Sequence, residues 1–120
     1  MSRTALERLI ETDKNLREFG FDWPDLEMIF QKIKSELEEV KEAEGKNHLQ
    51  EEIGDLLHTV VSLCIFVGFD VEETIRKARD KLEARADALK VVAEEKGHDS
   101  LKGQSVEYML ELWREAKKIA

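Results

Sequence analysis

Apolar residues recur at steps of three and four along two stretches in the first half of the chain, a spacing that predicts two amphipathic helices. The helix predicted over about residues 25–44 has the apolar stripe Leu26, Ile29, Phe30, Ile33, Leu37 and Val40. The helix predicted over about residues 49–67 has the stripe Leu49, Ile53, Leu56, Val60, Leu63 and Val67. Because only a short stop at Gly45-Lys46-Asn47 separates them, we expect the two helices to be antiparallel neighbours.

Three further helices follow from the same periodicity and from their end signals. One is predicted over about residues 4–19, where Gly20 ends it, and a long charged one over about residues 70–96, where Gly97 ends it. Ser105 is a candidate cap for a last helix. No strand-like alternation or repeat appears, so we predict an all-α fold that resembles a four-helix bundle and has about five helices, the second to fourth forming its core.

The length of the chain bears on its assembly. A single domain over residues 1–120 would bury only about two-thirds of the surface of its unfolded chain. A second copy can supply the missing core to an amphipathic helical protein of this size. We therefore expect a homodimer or a dimer of dimers.

Charge and cysteine content narrow the partners and the compartment. The formal net charge of −8 would repel a phosphate backbone, which argues against binding of a nucleic-acid polymer. Cys64 is the only cysteine, as suits a reducing compartment. The longest apolar stretch, residues 53–69, is interrupted by polar side chains and is too short to span a bilayer, and the start of the chain lacks the apolar segment of a signal peptide. We expect a cytoplasmic protein without a membrane partner.

Four acidic residues mark the two helices of the predicted hairpin. Glu36 and Glu39 lie three apart on one helix, and Glu52 and Asp55 lie three apart on the next, so each pair shares a helix face. The pairs 36 and 55, and 39 and 52, have a common midpoint at the Gly45–Lys46 bond. A hairpin folded there brings all four carboxylates onto one patch, where their repulsion favours binding of a cation.

Oxygen ligands alone select Mg²⁺ or Mn²⁺ over Zn²⁺. The three histidines, His48, His58 and His98, lack the spacing of metal ligands. In a chain this rich in acidic residues, the same four side chains could instead form a solvated charged face, and the spacing leaves both interpretations open.

The residues around these acids resemble a known family. The run FGFDWPDLEMIFQKIKSELEEVKEA, followed by EEIGDLLHTVVSL, is similar to MazG-type nucleoside triphosphate pyrophosphohydrolases, and most similar to their C-terminal catalytic domain. The ExxE motif of that family reads Glu36 to Glu39, and after twelve residues its ExxD motif reads Glu52 to Asp55. The similarity covers about residues 19–120.

The resemblance implies an all-α fold that dimerises and holds magnesium at the four acids. It implies attack of water on the α-phosphate of a nucleoside triphosphate, with pyrophosphate leaving. Lys81 and Arg85 occupy the Lys-xxx-Arg positions that contact substrate phosphates, and Trp113 matches an aromatic residue near the nucleotide. Judged by spacing alone, Lys81 and Arg85 would be surface ion-pairing residues, and Trp113 could equally pack in the core.

The chain departs from the pattern of the family at a few positions. His58 stands where phenylalanine is common and His48 where lysine is frequent, while Arg79 and Leu82 replace a frequent asparagine and phenylalanine. These departures bear on base preference and phosphate contacts and leave the four acids in place.

The function predicted on this basis is Mg²⁺-dependent hydrolysis of ribo- or deoxyribonucleoside triphosphates to the monophosphate and pyrophosphate, as in cleansing of the nucleotide pool. A narrower dCTP, dUTP or phosphoribosyl-ATP pyrophosphatase is an alternative. A helical interaction module without catalysis, and a sensor that binds metal or nucleotide without turnover, are alternatives of other classes.

Overall fold

The computed structural model describes residues 2–120 and contains five α-helices: α1 (Ala5–Phe19), α2 (Leu26–Glu42), α3 (Lys46–Phe66), α4 (Val71–Glu95) and α5 (Val106–Ile119). Helices account for 77% of the chain, and no strand occurs in the part described, so the predicted all-α class is confirmed. The contacts between residues divide the chain into two compact units, Met1–Val71 and Glu72–Ala120. No single helix within residues 2–120 is long and apolar enough to cross a bilayer; α3 and α4 reach that length and hydropathy only as a pair.

Side chains close the ends of several helices. At the start of α1, Thr4 and Glu7 form a capping box, in which the backbone N–H of Glu7 donates to Thr4 Oγ1 over 3.1 Å. Asp25 and Ser105 accept backbone N–H bonds at the starts of α2 and α5. Gly20 ends α1 with a φ of 108°, a left-handed conformation that glycine adopts without steric cost.

The turn between α2 and α3 lies earlier than the sequence pattern indicated. Residues 43–45 connect the helices, and Lys46 and Asn47, predicted to be part of the stop, already belong to α3. Gly45 has a φ of 81° and directly precedes α3. Because glycine adopts this left-handed conformation without steric cost, the chain reverses direction at this residue. Helix α2 packs most extensively on α3, and α1 also packs on α3.

The core of the first unit differs from the predicted apolar stripes. On α2, Ile29 is fully buried as expected, but Phe30 and Leu37 are exposed. Four members of the stripe predicted for the next helix are also exposed: Leu49, Ile53 and Val60 on α3, and Val67 directly after it. The buried residues of α3 are Thr59 and Ser62. The prediction that this stripe lies in the core of the chain is therefore wrong for most of its residues.

A polar network explains why α3 turns Ser62 inward, whereas Thr59 Oγ1 donates within α3 to the carbonyl oxygen of Asp55. We call this network the Arg17 network, formed by Asp13, Arg17, Trp23, His58 and Ser62. Arg17 Nε donates to Asp13 Oδ1 over 2.6 Å, and Arg17 Nη2 donates to the hydroxyl and the carbonyl oxygen of Ser62, each over 2.7 Å. Trp23 Nε1 also donates to Ser62 Oγ over 2.8 Å. Because a guanidinium must keep its hydrogen bonds when buried, these bonds fix how α1 lies on α3.

Asp13 supplies the negative charge of the Arg17 network. Burial alone would raise the pKa of Asp13, but the hydrogen bond from Arg17, the polar contacts of Ser62 and His58, and the charge of Arg17 hold this pKa below its usual value. His58 Nε2 lies 3.0 Å from Asp13 Oδ2. Asp13 is therefore ionised at neutral pH and joins α1 to α3 through charge-assisted bonds.

The second unit contains α4 and α5. Its buried apolar residues are Ala88, Val92, Ala93, Leu112 and Ala116. Polar contacts join the end of α4 and the following turn to α5: His98 Nε2 lies 2.8 Å from Tyr108 Oη, and Lys96 Nζ lies 3.7 Å from Glu115 Oε2.

Replacement of Asp13 by asparagine should destabilise the fold by about 2 kcal/mol at neutral pH, because it removes the nearer of the two carboxylates that pair with the half-buried guanidinium of Arg17. The lowered pKa sets the sign of the pH dependence: the stabilisation from ionised Asp13 is present above the pKa of the unfolded chain and is lost as the pH falls through the folded value. Urea unfolding of both proteins should show a difference at about pH 7 that shrinks towards about pH 3.

A matched control is Glu38→Gln, which removes the same charge from an exposed residue paired only with Lys41 at 3.2 Å. Its effect should stay within about 0.5 kcal/mol. Equal effects of the two substitutions would show that the Arg17 network does not stabilise the fold.

Candidate metal centre

The α2–α3 hairpin gathers three carboxylates. One side-chain oxygen each of Glu36, Glu39 and Glu52 lies within 4.8 Å of the other two. We call this group the carboxylate cluster. It forms because α2 and α3 are antiparallel neighbours that meet at the turn of residues 43–45: Glu36 lies seven residues before this turn and Glu52 seven residues after it. Glu39 lies one helical turn from Glu36 on the same face of α2.

Burial varies across the carboxylate cluster. Glu36 is buried, Glu52 is half-buried and Glu39 is exposed. One oxygen each of Glu36 and Glu52, the Oε2 atom in both, is buried and has no hydrogen-bond partner among the described residues. A buried carboxylate oxygen without a partner carries a substantial desolvation cost, which a bound cation would relieve.

The repulsion within the carboxylate cluster is visible in Glu39. Hydrogen bonds with Glu52 and Glu36 favour the protonated form and raise the pKa of the Glu39 carboxyl; the charge of Glu36, a small desolvation and the charge of Glu52 act in the same direction. The ionised form is thus less favourable here than in water. A cation between these oxygens would reverse that preference.

Lys32 neutralises part of this charge. Its Nζ lies 2.8 Å from Glu36 Oε1, one helical turn away on α2. This hydrogen bond raises the pKa of Lys32, against the effect of burial. The negative charges of Glu36, Glu39 and Asp55 act in the same direction as the hydrogen bond. Asp55 therefore contributes to the local field, although it is exposed and is not one of the three residues whose oxygens converge.

His48 lies one helical turn before Glu52 on α3 and contacts its carboxylate. The backbone N–H of Glu44 donates to His48 Nδ1 over 3.2 Å, and His48 Nε2 lies 3.2 Å from Glu52 Oε1. Because Nδ1 accepts, the proton of the neutral ring is on Nε2 and is donated to the carboxylate. Glu52 thus has one oxygen held by His48 while its other oxygen remains without a partner.

The residue types fit a hard divalent cation. All three converging ligand atoms are carboxylate oxygens, and two of the residues also carry an unpartnered buried oxygen. Mg²⁺ and Mn²⁺ prefer such donors and keep part of their coordination shell for water or phosphate. The cluster therefore has the composition of a site for a hard divalent cation.

The three remaining residues predicted for the site lie in the second unit. Lys81 and Arg85 are one turn apart on α4, with Lys81 exposed and Arg85 half-buried. The Nε atom of Arg85 is buried and has no hydrogen-bond partner among the described residues. Trp113 is half-buried on α5. The roles of Lys81, Arg85 and Trp113 towards a nucleotide remain predictions.

The contacts of Lys32 and His48 with the acids did not follow from the sequence pattern. The sequence does contain a pattern that favours both contacts, because each residue precedes a member of the carboxylate cluster by four positions on the same helix. That spacing is common in a chain with 38% charged residues, so it did not stand out.

The fold and the cluster define a class: an all-α protein in which a helical hairpin presents an oxygen-only site suited to a divalent cation. Residues 25–89 match the family model described as the MazG nucleotide pyrophosphohydrolase domain, and the chain belongs to this family. The resemblance noted in the sequence is thereby confirmed.

Curated relatives extend the match beyond these residues. A Thermotoga maritima protein named nucleoside triphosphate pyrophosphohydrolase/pyrophosphatase MazG is 37% identical over 113 residues, which cover 94% of this chain and 44% of the relative. The nucleoside triphosphate pyrophosphohydrolase of Escherichia coli K12 is 30% identical over 122 residues, which cover 98% and 46%. The chain spans less than half the length of these two relatives.

Replacement of Glu39 by glutamine should stabilise the metal-free protein at neutral pH, because it removes a charge whose raised pKa marks it as unfavourable in the fold. Because the folded state raises the pKa of Glu39, ionised Glu39 destabilises the fold only when the pH is above the pKa of the unfolded chain. The stabilisation gained by Glu39→Gln should therefore vanish towards about pH 4. The measurement is the urea midpoint in the presence of a chelator at both pH values. A Glu39→Gln variant less stable than the wild type would contradict this account of the carboxylate cluster.

Proposed function

We propose that this chain hydrolyses nucleoside triphosphates to the monophosphate and pyrophosphate, with Glu36, Glu39, Glu52 and Asp55 holding Mg²⁺ or Mn²⁺. The observation that carries the proposal is the convergence of three carboxylate oxygens beside two buried oxygens that have no hydrogen-bond partner within residues 2–120. The printed names of the Thermotoga maritima and Escherichia coli relatives support this choice of reaction.

The bound cation would supply charge neutralisation of the triphosphate and a lowered pKa of coordinated water. The side chains have separate tasks. Glu36 and Glu52 each have an oxygen fixed by a neighbour, Lys32 or His48, and a second oxygen free of protein partners. This division orients the free oxygen before any ligand arrives, so little ordering is needed on binding.

Lys81 and Arg85 are proposed to bind the phosphates and to stabilise the charge that develops on the leaving pyrophosphate. Their spacing of four residues on α4 places both side chains on one face of the helix. An anionic ligand would also satisfy the buried Nε of Arg85, which has no partner among the described residues. Trp113 is proposed to lie near the nucleotide.

Product identification tests the proposed reaction. With Mg²⁺ and a panel of nucleoside triphosphates, the protein should release pyrophosphate and the monophosphate, separated by anion-exchange chromatography. Glu39→Gln and Asp55→Asn should each lower kcat/KM by about 100-fold or more, because each weakens the stabilisation of charge in the transition state. Circular dichroism should show that both variants remain folded.

Glu38→Gln provides the matched control, since Glu38 neighbours the ExxE positions but is exposed and paired with Lys41. It should retain activity close to that of the wild type. Release of diphosphate and inorganic phosphate would refute the proposed bond cleavage. Saturable, Mg²⁺-dependent nucleotide binding without any product would favour the sensor, and neither binding nor turnover would favour an interaction module.

We further propose that the chain forms a homodimer through α3. Leu49, Ile53, Leu57 and Val60 follow one another at steps of four, four and three along this helix, and all four are exposed in the single chain. We call them the α3 apolar stripe. Leu57 is 62% exposed, an unusual exposure for leucine in the middle of a long helix. A continuous apolar stripe of this kind is typical of a protein–protein interface.

Replacement of Leu57 by aspartate should shift the protein to monomers, because a charge at the centre of an apolar interface is desolvated without a partner. Sedimentation equilibrium over a range of concentrations measures the shift. The matched control is Val106→Asp on α5, which changes a residue that is 67% exposed outside the α3 apolar stripe. A wild-type protein that is monomeric throughout, or a Leu57→Asp variant that associates like the wild type, would refute an interface on α3.

A further inference from the structure

The first half of α4 is exposed on all sides, because every residue from 73 to 84 is exposed. This stretch covers more than three turns of the helix and includes two large apolar side chains, of which Ile75 is 44% and Leu82 is 60% exposed. Most of the stability of a helix in a protein comes from packing of its apolar face against another element. Residues 73–84 have no such packing in the single chain.

The exposed half of α4 has an apolar side with cations next to it. Its apolar residues recur at steps of three and four, so they face one direction. We call them the α4 apolar stripe: Ile75, Ala78 and Leu82. Lys81 and Arg85 follow Ala78 by three and seven residues and therefore lie beside this stripe. A partner for this surface needs an apolar patch next to negative charge.

The α2–α3 hairpin has this complementary composition. The α3 apolar stripe is exposed in the single chain, and Glu52 of the carboxylate cluster directly precedes Ile53 of that stripe. The charge of the cluster is negative, whereas Lys81 and Arg85 are positive. Because interfaces join apolar patches to each other and pair opposite charges, the hairpin of a second copy matches the exposed half of α4 in both respects.

Two-fold symmetry lets one arrangement cover both stripes. In a symmetric dimer, a contact of α4 in the first copy with α3 in the second is repeated as a contact of α4 in the second copy with α3 in the first. Such a dimer buries the α3 apolar stripe and the α4 apolar stripe of each chain together. Pairing of α3 with α3 alone would leave the α4 apolar stripe exposed. The two exposed stripes of this chain therefore favour the exchanged arrangement.

We propose that α4 of each copy packs on the α2–α3 hairpin of its partner copy, and that Lys81 and Arg85 bind the phosphates of a substrate held at the carboxylate cluster of that partner copy. The proposal rests on the function and the homodimer proposed above, and it adds that each active site is built from two chains. The buried Nε of Arg85, which has no hydrogen-bond partner among the described residues, then has an anionic ligand beside it. A single copy has no complete site.

Heterodimers of two defective variants test the shared site. One chain carries Glu39→Gln and the other carries both Lys81→Ala and Arg85→Ala, and two different affinity tags allow the co-expressed heterodimer to be purified in tandem. If the site is shared between chains, one of the two sites in this heterodimer contains all the changes and the other contains none. We expect about half of the wild-type turnover per dimer, against losses of about tenfold or more in each homodimeric variant.

A heterodimer no more active than the two homodimeric variants would overturn the shared site and leave the hydrolytic function standing, since each chain would then supply its own phosphate-binding pair. The matched control combines Glu39→Gln with Glu52→Gln, because these changes leave both sites defective in either arrangement, and it should stay inactive. Full turnover in the homodimer with Lys81→Ala and Arg85→Ala would also overturn the proposal. A wild type that releases no pyrophosphate would refute the hydrolytic function itself.

Association tests the packing of α4 whether or not the protein hydrolyses nucleotides. In sedimentation equilibrium, Leu82→Asp should raise the dissociation constant of the dimer by about 100-fold or more, because the new charge is desolvated against the partner copy without a counter-charge. The matched control is Val91→Asp, which changes a residue of α4 that is 50% exposed outside the α4 apolar stripe and should leave the constant unchanged. A Leu82→Asp variant that associates as tightly as the wild type would overturn the proposal.

Discussion

Electrostatic repulsion among carboxylates is the constraint on which the rest of the first unit depends. Glu36, Glu39 and Glu52 approach within 4.8 Å, a spacing that three ionised groups in a partly buried place resist. The chain tolerates it through the ammonium of Lys32, the imidazole of His48 and the raised pKa of Glu39. These contacts compensate the charge only in part, because one oxygen of Glu36 and one of Glu52 stay buried without a hydrogen-bond partner in the part of the chain that the structure describes. The hairpin thus holds the acids in an arrangement that favours the arrival of a cation.

The spacing of the acids could be predicted because it follows from helix geometry and from a short turn. Equal distances from the turn place residues of antiparallel helices opposite one another, whatever the details of packing. The turn itself was displaced, since Lys46 and Asn47 extend α3 towards its start. With the turn at residues 43–45, Glu36 and Glu52 are the pair equally far from it, where the sequence pattern had paired Glu39 with Glu52. Glu39 still belongs to the carboxylate cluster because it lies one helical turn from Glu36.

The inward face of α3 could not be predicted from the chain alone. Hydrophobic periodicity predicts that the apolar residues of α3 lie in the core of the chain, yet the buried residues of this helix are Thr59 and Ser62. For Ser62 the cause is Arg17, which lies 45 residues away in sequence and contacts Ser62 only in the fold. A helix can also carry an apolar stripe for a partner molecule, and the sequence pattern of such a stripe is the same as that of an internal core. A cavity lined by Leu16, Trp23 and His58 could not be predicted for the same reason, because these residues come from separate elements.

The hydrogen bonds between Arg17 and Ser62 also limit how the chain can vary in length. Apolar side chains can slide past one another at modest cost, whereas a buried guanidinium displaced by one residue loses directional bonds and finds no replacement. An insertion or deletion between Gly20 and Asp25 would shift Trp23, whose indole shares the hydroxyl of Ser62. The connector before α2 is therefore constrained in length. Related sequences that keep this network should differ here by substitutions and not by insertions or deletions.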